Sequence, residues 1–305
     1  MASGQGRAPI LVTGGGGQVG CELRRLARAE GTTIVAPASA ELDIGDPDAV
    51  AAFVGARPWS AVINAAAHTA VDRAESDVVQ AWRVNALGPA ALAAAAREAG
   101  VPIVHLSTDY VFDGAKADPY VEDDPVAPLG VYGASKEGGE QAVRTAAPRH
   151  VILRTAWVVS PHGGNFVKTM LRLGAERPLL RVVDDQRGCP TSAADIAQAA
   201  MAIAARLIGD PGAPSGTYHF VNRGEASWCE FAREIFAVAA QAGLTVPRVE
   251  AIGTADYPTP ARRPANSRLS TEKLIRDFAI TPRPWRPAVR EIVQALIGRG
   301  QGTET

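Results

Sequence analysis

The stretch Ile10–Gly20, "ILVTGGGGQVG", decides the fold. Its first four residues, Ile10 to Thr13, are aliphatic or β-branched, the composition of a buried strand. Glycines follow at 14, 17 and 20, a GxxGxxG spacing. Beyond them "CELRRLARAE" spaces its apolar residues as a helix does. Glycines in such a strand–turn–helix permit a tight turn, close approach of a pyrophosphate to the backbone, and close packing of helix on sheet. The free N–H groups of the helix N-terminus then face the phosphates. Gly14, Gly17, Gln18, Val19 and Gly20 are therefore the first candidates for holding a dinucleotide. No Gly-Lys-Ser/Thr follows, which disfavours a nucleotide triphosphatase.

Working outward, strands alternate with helices. "TTIVAP", "SAVINAAA", "PIVHLST" and "HVILRTAWV" are short apolar runs. Between them lie helical patterns: "DPDAVAAFVGA", with Asp46 as N-cap and Pro47 at the first helical position; "SDVVQAWRVNALGPAALAAAAREAG", interrupted at Gly88-Pro89; and the segment after "VYGASK". Strands alternating with helices make βαβ units and a parallel sheet, and near-continuous apolar strands are those covered on both faces. The fold class is α/β, a Rossmann-type doubly wound parallel sheet.

After Trp157 prolines and glycines become frequent and the alternation loosens. "FVKTMLRLGAE", "AADIAQAAMAIAARLI", "SWCEFAREIFAVAAQAG" and "RPAVREIVQALIG" are helical, "GTYHFVN" is a strand, and the tail "GRGQGTET" is expected to fray. The expected division is a dinucleotide-binding domain over 1–157 and a smaller mixed α/β substrate lobe over 158–305, with parts of 182–210 packing back onto the first.

Lys and Arg number 31 against 32 Asp and Glu, a net charge of −1, so the basic surplus of a nucleic-acid binder is missing. Cys21, Cys189 and Cys229 are odd in number and far apart, which outlines neither a disulfide framework nor a zinc site. "MASGQGRAPI" is not patterned as a signal peptide, and the apolar run "ALGPAALAAAA" is too short to span a bilayer. A cytoplasmic protein is expected.

Val131–Lys136, "VYGASK", places Tyr132 and Lys136 four residues apart, on one face of a helix. A cation so placed favours the phenolate and lowers the tyrosine pKa, tuning it for proton transfer. The alternative is an ordinary pair on a solvated helix. Which dinucleotide binds is read from the end of the second strand. An acid there would hydrogen-bond a ribose and repel a 2′-phosphate, but "VAPASAELDI" has none at Ala36–Ser39. Asp43, with Ile44, comes later, toward the adenine side. The expectation is NADPH, with NADH tolerated.

The glycine loop, "NAAAHTAVDRAES", "STDYVFDG", "VYGASK" and "RTAWV" occur in that order at or just after strand ends. This set resembles the extended short-chain dehydrogenase/reductase superfamily and, within it, the dTDP-4-dehydrorhamnose reductase family. The likeness continues through "NFVKTMLRL", "VVDDQRGCPT" and "YPTPARRPANSRLSTEKL", nearly the whole chain. It implies a catalytic set of Thr108, Tyr132 and Lys136, and reduction of the C4 ketone of a dTDP-linked 4-keto-6-deoxysugar. Tyr132 would be the proton donor, Lys136 would lower its pKa and hold the nicotinamide ribose, and Thr108 would bond the same sugar oxygen. Ala65, Ala66 and Ala67 would lie along the cofactor. Asp109 and Trp157 would border the sugar, each with a structural alternative. Tyr110 stands where the related 4,6-dehydratases carry a glutamate, which argues against elimination chemistry.

His68 is assigned no chemistry. Arg262, Arg263 and Arg268 are candidates for a clamp on the nucleotide pyrophosphate, the alternative being a solvated basic loop. The resemblance also raises a magnesium-bridged homodimer, with Glu22 one possible ligand. Ala194 and Ala295 stand where further glutamates would align, so both metal and dimer stay open. Two further readings also stay open: a 4-ketoreductase for another nucleotide deoxysugar, and a non-catalytic regulatory subunit.

Overall fold

The computed structural model describes residues 8–301. The "MASGQGR" part of the N-terminal segment and residues 302–305 of the expected frayed tail lie outside them. Elements run in the order β1 (Ile10–Thr13), α1 (Gln18–Glu30), β2 (Ile34–Val35), α2 (Pro47–Gly55), β3 (Ala61–Asn64), α3 (Val71–Ala74) and α4 (Val78–Trp82). A π-helical turn, Arg83–Leu87, leads into α5 (Gly88–Glu98), then β4 (Ile103–Thr108), α6 (Val131–Ala146) and β5 (His150–Thr155). Next come β6 (Val158–Val159), α7 (Phe166–Glu176), β7 (Leu179–Val183), β8 (Arg187–Gly188), β9 (Thr191–Ser192) and α8 (Ala193–Gly209). The chain closes with β10 (Gly216–His219), β11 (Ala226–Ser227), α9 (Trp228–Gln241), β12 (Arg248–Ile252), α10 (Glu272–Phe278) and α11 (Trp285–Gln301).

The central sheet has six strands in the order β10-β5-β4-β3-β1-β2, and all its pairings are parallel. β1, β3, β4 and β5 are buried along their whole length, as a sheet covered on both faces requires. On one face Leu23 of α1 and Ile196, Ala200 and Ile203 of α8 pack against Val12, Ile63 and Val104. On the other, Val50 and Val54 of α2, Leu92 of α5 and Val143 of α6 pack against Leu11, Val62 and Ile152. The sheet is thus doubly wound. α2 starts as its sequence dictates: Asp46 accepts hydrogen bonds from the N–H groups of Asp48 and Ala49, and Pro47 sits at the first helical position. The chain order reverses between β1 and β3, which opens a crevice at their carboxyl ends.

A separate apolar cluster joins α7, α9, α11 and β7, with Phe231, Ile235, Trp285 and Val293 at its centre. Segments late in the chain also return to the main sheet. β10 pairs with β5, α8 packs against α1, and Leu274 of α10 enters the core of that face.

Several elements differ from expectation. "TTIVAP" yields only Ile34–Val35, an edge strand meeting Ile10 and Leu11; Pro37 has no N–H to extend the ladder. The expected break at Gly88-Pro89 is displaced into the π turn before it, since the proline ring crowds the carbonyl four residues back and widens that turn. "HVILRTAWV" stops at Thr155, and Trp157 takes a left-handed φ of 47°. The parallel pair β7–β12, the short pair β8–β11 and helix α10 were not read from sequence. α11 continues through Gln301, into the tail expected to fray. No described helix is long and apolar enough to cross a membrane.

Candidate active site

A cleft of about 1030 Å³ lies at the carboxyl ends of β1, β3, β4 and β5. The glycine loop forms one end. Gly14 has a φ of 73°, and a Cβ on it would lie 2.5 Å from the Ala66 nitrogen. A Cβ on Gly20 would lie 2.1 Å from the Gly14 carbonyl oxygen, so this glycine lets α1 pack onto the loop. Gly16 has nothing within 4 Å of its would-be Cβ and lines the cleft, leaving backbone open to a ligand. Gly17 caps α1 without a side-chain bond, and the first turn of α1 holds no acid. Its N–H groups and dipole therefore suit the pyrophosphate of a nicotinamide dinucleotide. The residues present fit that cofactor.

Of the residues predicted to hold it, Gly14, Gly17, Gln18, Val19, Ala65, Ala67, Tyr132 and Lys136 line the cleft. Four do not. Gly20 is buried behind the loop. Ala66 is turned toward the core, its N–H bonded to Asn64 Oδ1. Asp43 pairs with Arg83 and accepts from the Gly45 N–H. Ile44 is buried in the core against Gly88. Beside the glycine loop the cleft is walled by Arg24, Ala36–Ser39 and Glu41. Sequence reading weighed the loop 36–39 but not Arg24, which reaches in from α1.

Gln18 has a second task. Its Oε1 accepts from Ser160 Oγ and Asn165 Nδ2, each at 2.9 Å, tying the glycine loop to the segment after β6. Gly163, Gly164 and Asn165 of that segment line the cleft and were not foreseen. Their signal was the pair of glycines before the N-cap Asn165.

The other end holds Thr108, Asp109, Tyr110, Tyr132, Lys136 and Trp157. α6 approaches the sheet closely because Gly133 and Gly139 have no Cβ; one would lie 2.1 Å from the Tyr110 carbonyl and 2.2 Å from that of Asn85, respectively. Tyr132 and Lys136 lie on the approaching face, and the Lys136 ammonium donates to the Leu106 carbonyl at 2.6 Å. Burial lowers the Lys136 pKa to about 8, with the Glu140 charge opposing. Burial pushes the Tyr132 phenol up to about 12, the Thr108 hydroxyl pulling the other way and the Asp109 charge adding to the rise. The expected lowering by Lys136 is not among the influences on the phenol here, and loss of water sets the direction.

Thr108 Oγ1 donates to Asp109 Oδ1 at 3.0 Å and accepts from the Tyr110 N–H at 3.2 Å. Burial raises Asp109 to about 6, while Ser267 and Thr108 hold it down. The Tyr110 ring meets that of Tyr132 edge-on, centroids 5.4 Å apart, and its own hydroxyl is pushed up by burial. Trp157 stacks on Trp228 at the seam and also lines the cleft wall. His68 is braced by Asn85, whose Oδ1 accepts from its N–H at 2.8 Å.

None of the three candidate arginines lines the cleft. Arg263 forks onto Asp72 at 2.8 and 3.1 Å. Arg268 binds Glu225, Asn266 and the Ala117 carbonyl. Arg262 is exposed. Carboxylates of the protein pair with the guanidiniums of Arg263 and Arg268, and neither reaches the cleft in this arrangement. Glu22 likewise faces Arg25 at 2.7 Å and His162 at 3.3 Å. Among the described residues no three His, Cys, Asp or Glu side chains cluster as a metal site, so Glu22 does not fit a magnesium centre within one chain.

A glycine loop suited to a pyrophosphate and a half-buried Tyr132 one helical turn from the buried Lys136, on one cleft, define a nicotinamide-dependent oxidoreductase of the short-chain dehydrogenase/reductase type. The sequence matches the family of the RmlD substrate binding domain over residues 8–297. It is 46% identical over 293 residues to a dTDP-4-dehydrorhamnose reductase of Sinorhizobium fredii, covering 96% of this chain and 99% of that one. It is 42% identical to that of Escherichia coli K12, covering 94% and 97%. The fold superposes on a dTDP-4-dehydrorhamnose reductase of Clostridium acetobutylicum with a TM-score of 0.89 at 37% identity, covering 95% and 99%. The Bacillus anthracis reductase in complex with NADP gives 0.87 at 34% identity, covering 95% and 100%. The chain belongs to the dTDP-4-dehydrorhamnose reductase family.

Proposed function

We propose that this chain reduces the C4 ketone of dTDP-4-dehydro-β-L-rhamnose, with NADPH preferred and NADH tolerated, and that Tyr132 is the proton donor. The observation that carries the reading is a protonated, half-buried Tyr132 with the Thr108 hydroxyl beside it, on the wall of the cleft that begins at the glycine loop. When bound, the nicotinamide supplies the hydride to the sugar C4. Tyr132 meets the alkoxide that develops at O4 and gives it the phenolic proton. The Lys136 ammonium, fixed by the Leu106 carbonyl, stabilises the phenolate left behind and has donors remaining for a ribose hydroxyl. Thr108 places a hydroxyl at the same oxygen once it releases Asp109. Closure of the aromatic and apolar walls around these groups removes water and strengthens each interaction.

NADPH is favoured because Ala36–Ser39 carry no acid, the one acid at that end of the cleft, Glu41, is engaged by the Ala38 N–H, Arg24 brings a cation there, and a relative of this family binds NADP. Three free cysteines fit action in the cytoplasm. The test is oxidation of NADPH by the purified chain with dTDP-4-dehydro-L-rhamnose, alongside NADH, UDP-linked 4-keto sugars and the Tyr132→Phe protein. Turnover that needs the dTDP sugar and falls by about 10²–10⁴-fold in the variant supports the reading. Binding of NADPH with oxidation by none of these sugars overturns it.

A further inference from the structure

Tyr132, Lys136 and Glu140 stand at successive turns of one face of α6, and each reaches the end of β4. Tyr132 lies beside Thr108, Lys136 Nζ donates to the Leu106 carbonyl at 2.6 Å, and Ser107 Oγ donates to Glu140 Oε1 at 2.5 Å. Glu140 is fully buried, although glutamate is among the residues least often found there. Its carboxylate accepts from Arg154 Nε at 2.9 Å, from Arg154 Nη2 at 2.7 Å and from Arg144 Nη2 at 2.5 Å. Arg154 is itself only 2% exposed, and Lys136 is equally buried. One buried anion thus serves two guanidiniums, one helical turn along α6 from the equally buried Lys136.

A buried cluster of this kind costs more to assemble than apolar packing of the same shape. Apolar packing would hold α6 on β4 just as well. What it would not do is favour the charged form of Lys136, which burial opposes. We propose that Glu140 is a positioning residue for the reduction: its carboxylate keeps Lys136 charged and seated, and Arg144 and Arg154 set how much of that charge Lys136 feels. This rests on the roles proposed above for Tyr132 and Lys136.

The other groups around Lys136 do not supply that charge. His105 on β4 is held neutral, its pKa pushed well down by burial and by Lys136 itself, and its Nδ1 meets Asn64 Nδ2 at 3.0 Å. Asp109 faces Thr108, Glu75 accepts from the Val131 N–H at the start of α6, and Asp77 pairs with Arg73. Arg83 of the π turn pairs with Asp43. From α6 itself only Glu140 raises the affinity of Lys136 for its proton.

The experiment is the pH profile of kcat in Glu140→Gln, Glu140→Asp and Arg144→Met, with wild type and Lys136→Met alongside and NADPH binding as the check on folding. Loss of the anion should move the alkaline limb of Glu140→Gln down by about one pH unit or more. Glu140→Asp should restore the wild-type limb. Arg144→Met removes a partly exposed cation that competes for the carboxylate, so its limb should move upward, and it decides the matter alone if Glu140→Gln does not fold. Unchanged limbs in the folded variants overturn the proposal. If Lys136→Met keeps the wild-type rate and profile, the reading of Lys136 fails first, and the role of Glu140 with it.

Discussion

The indole of Trp157 lies flat on that of Trp228, centroids 3.5 Å apart and planes 10° from parallel. Trp157 takes its left-handed backbone at the end of β5, and its ring covers Gly188, where a Cβ would lie 2.3 Å from the indole. One face of the pair is therefore braced by the apolar cluster around Phe231, while Trp157 also walls the cleft. Trp228→Leu keeps apolar bulk but removes the stack that aims Trp157. The expected result is a KM for the dTDP sugar raised by about 2–10-fold, the worth of one aromatic pair. The NADPH dissociation constant should hold. Steady-state kinetics and cofactor titration check this, and an unchanged sugar KM would show that Trp157 does not meet the substrate.

Asp109 makes stability depend on pH in a direction opposite to most carboxylates. Its pKa rises from 3.8 unfolded to about 6 folded, chiefly through burial. Below about pH 3 both states are protonated and nothing is lost. As pH rises from about 4 to 6 the unfolded state ionises first, so the wild-type protein loses stability, by up to about 3 kcal/mol at about 1.4 kcal/mol per unit. Asp109→Asn should therefore raise the melting temperature at neutral pH and leave it unchanged near about pH 3. Equal effects at both pH values would show that the substitution acts by packing rather than by charge.

The glycine loop offers a paired test of what each glycine does. Gly20→Ala drives a methyl into the Gly14 carbonyl, which belongs to backbone and cannot turn aside. It should cost about 1–3 kcal/mol of stability as well as cofactor affinity. Gly16→Ala meets no protein atom within 4 Å. It should melt with the wild type and lose NADPH affinity alone. Thermal melts and a fluorescence titration separate the two, and undiminished affinity in Gly16→Ala would place the pyrophosphate elsewhere.

The same loop shows why part of the site was legible before any coordinates. Glycine spacing reports backbone geometry, and "ILVT" reports burial, so β1, the turn and α1 follow from local rules. Tyr132 and Lys136 are a helical interval apart, which any helix reproduces. What local rules do not carry is competition between distant groups. Arg263 read as free for a phosphate because Asp72, 191 positions away, is invisible from its own segment. The upward push on the Tyr132 phenol is equally illegible in its segment, because loss of water depends on what packs round the ring, including Tyr110 from another element. β7 and β12 were missed for a related reason. Leu179 and Arg248 pair across a long connection, and the alternating exposure of β7 lacks the continuous apolar signature of the central strands.

The Asp72–Arg263 ion pair joins α3 to the proline-rich segment near Arg262, and Asp72 also accepts from the Ala261 N–H at 3.1 Å. The hydrogen bond from Arg263 is the main cause that holds the Asp72 carboxyl below its usual range. Its contribution is therefore present above the ordinary carboxylate pKa and is lost as pH falls through the lowered one. Both side chains keep contact with water, so the pair is worth only about 0.5–1 kcal/mol and less in high salt. Asp72→Asn should loosen this segment without unfolding the protein. Trypsin should then cut after Arg262 about 2–5-fold faster at neutral pH, the factor that such an energy allows for a local opening. At high salt the wild-type rate should approach that of the variant, because screening removes the same attraction that the substitution removes. Equal cutting of both proteins at low salt would mean that the backbone bond to Ala261 and the packing of Pro264 hold the segment without the ion pair.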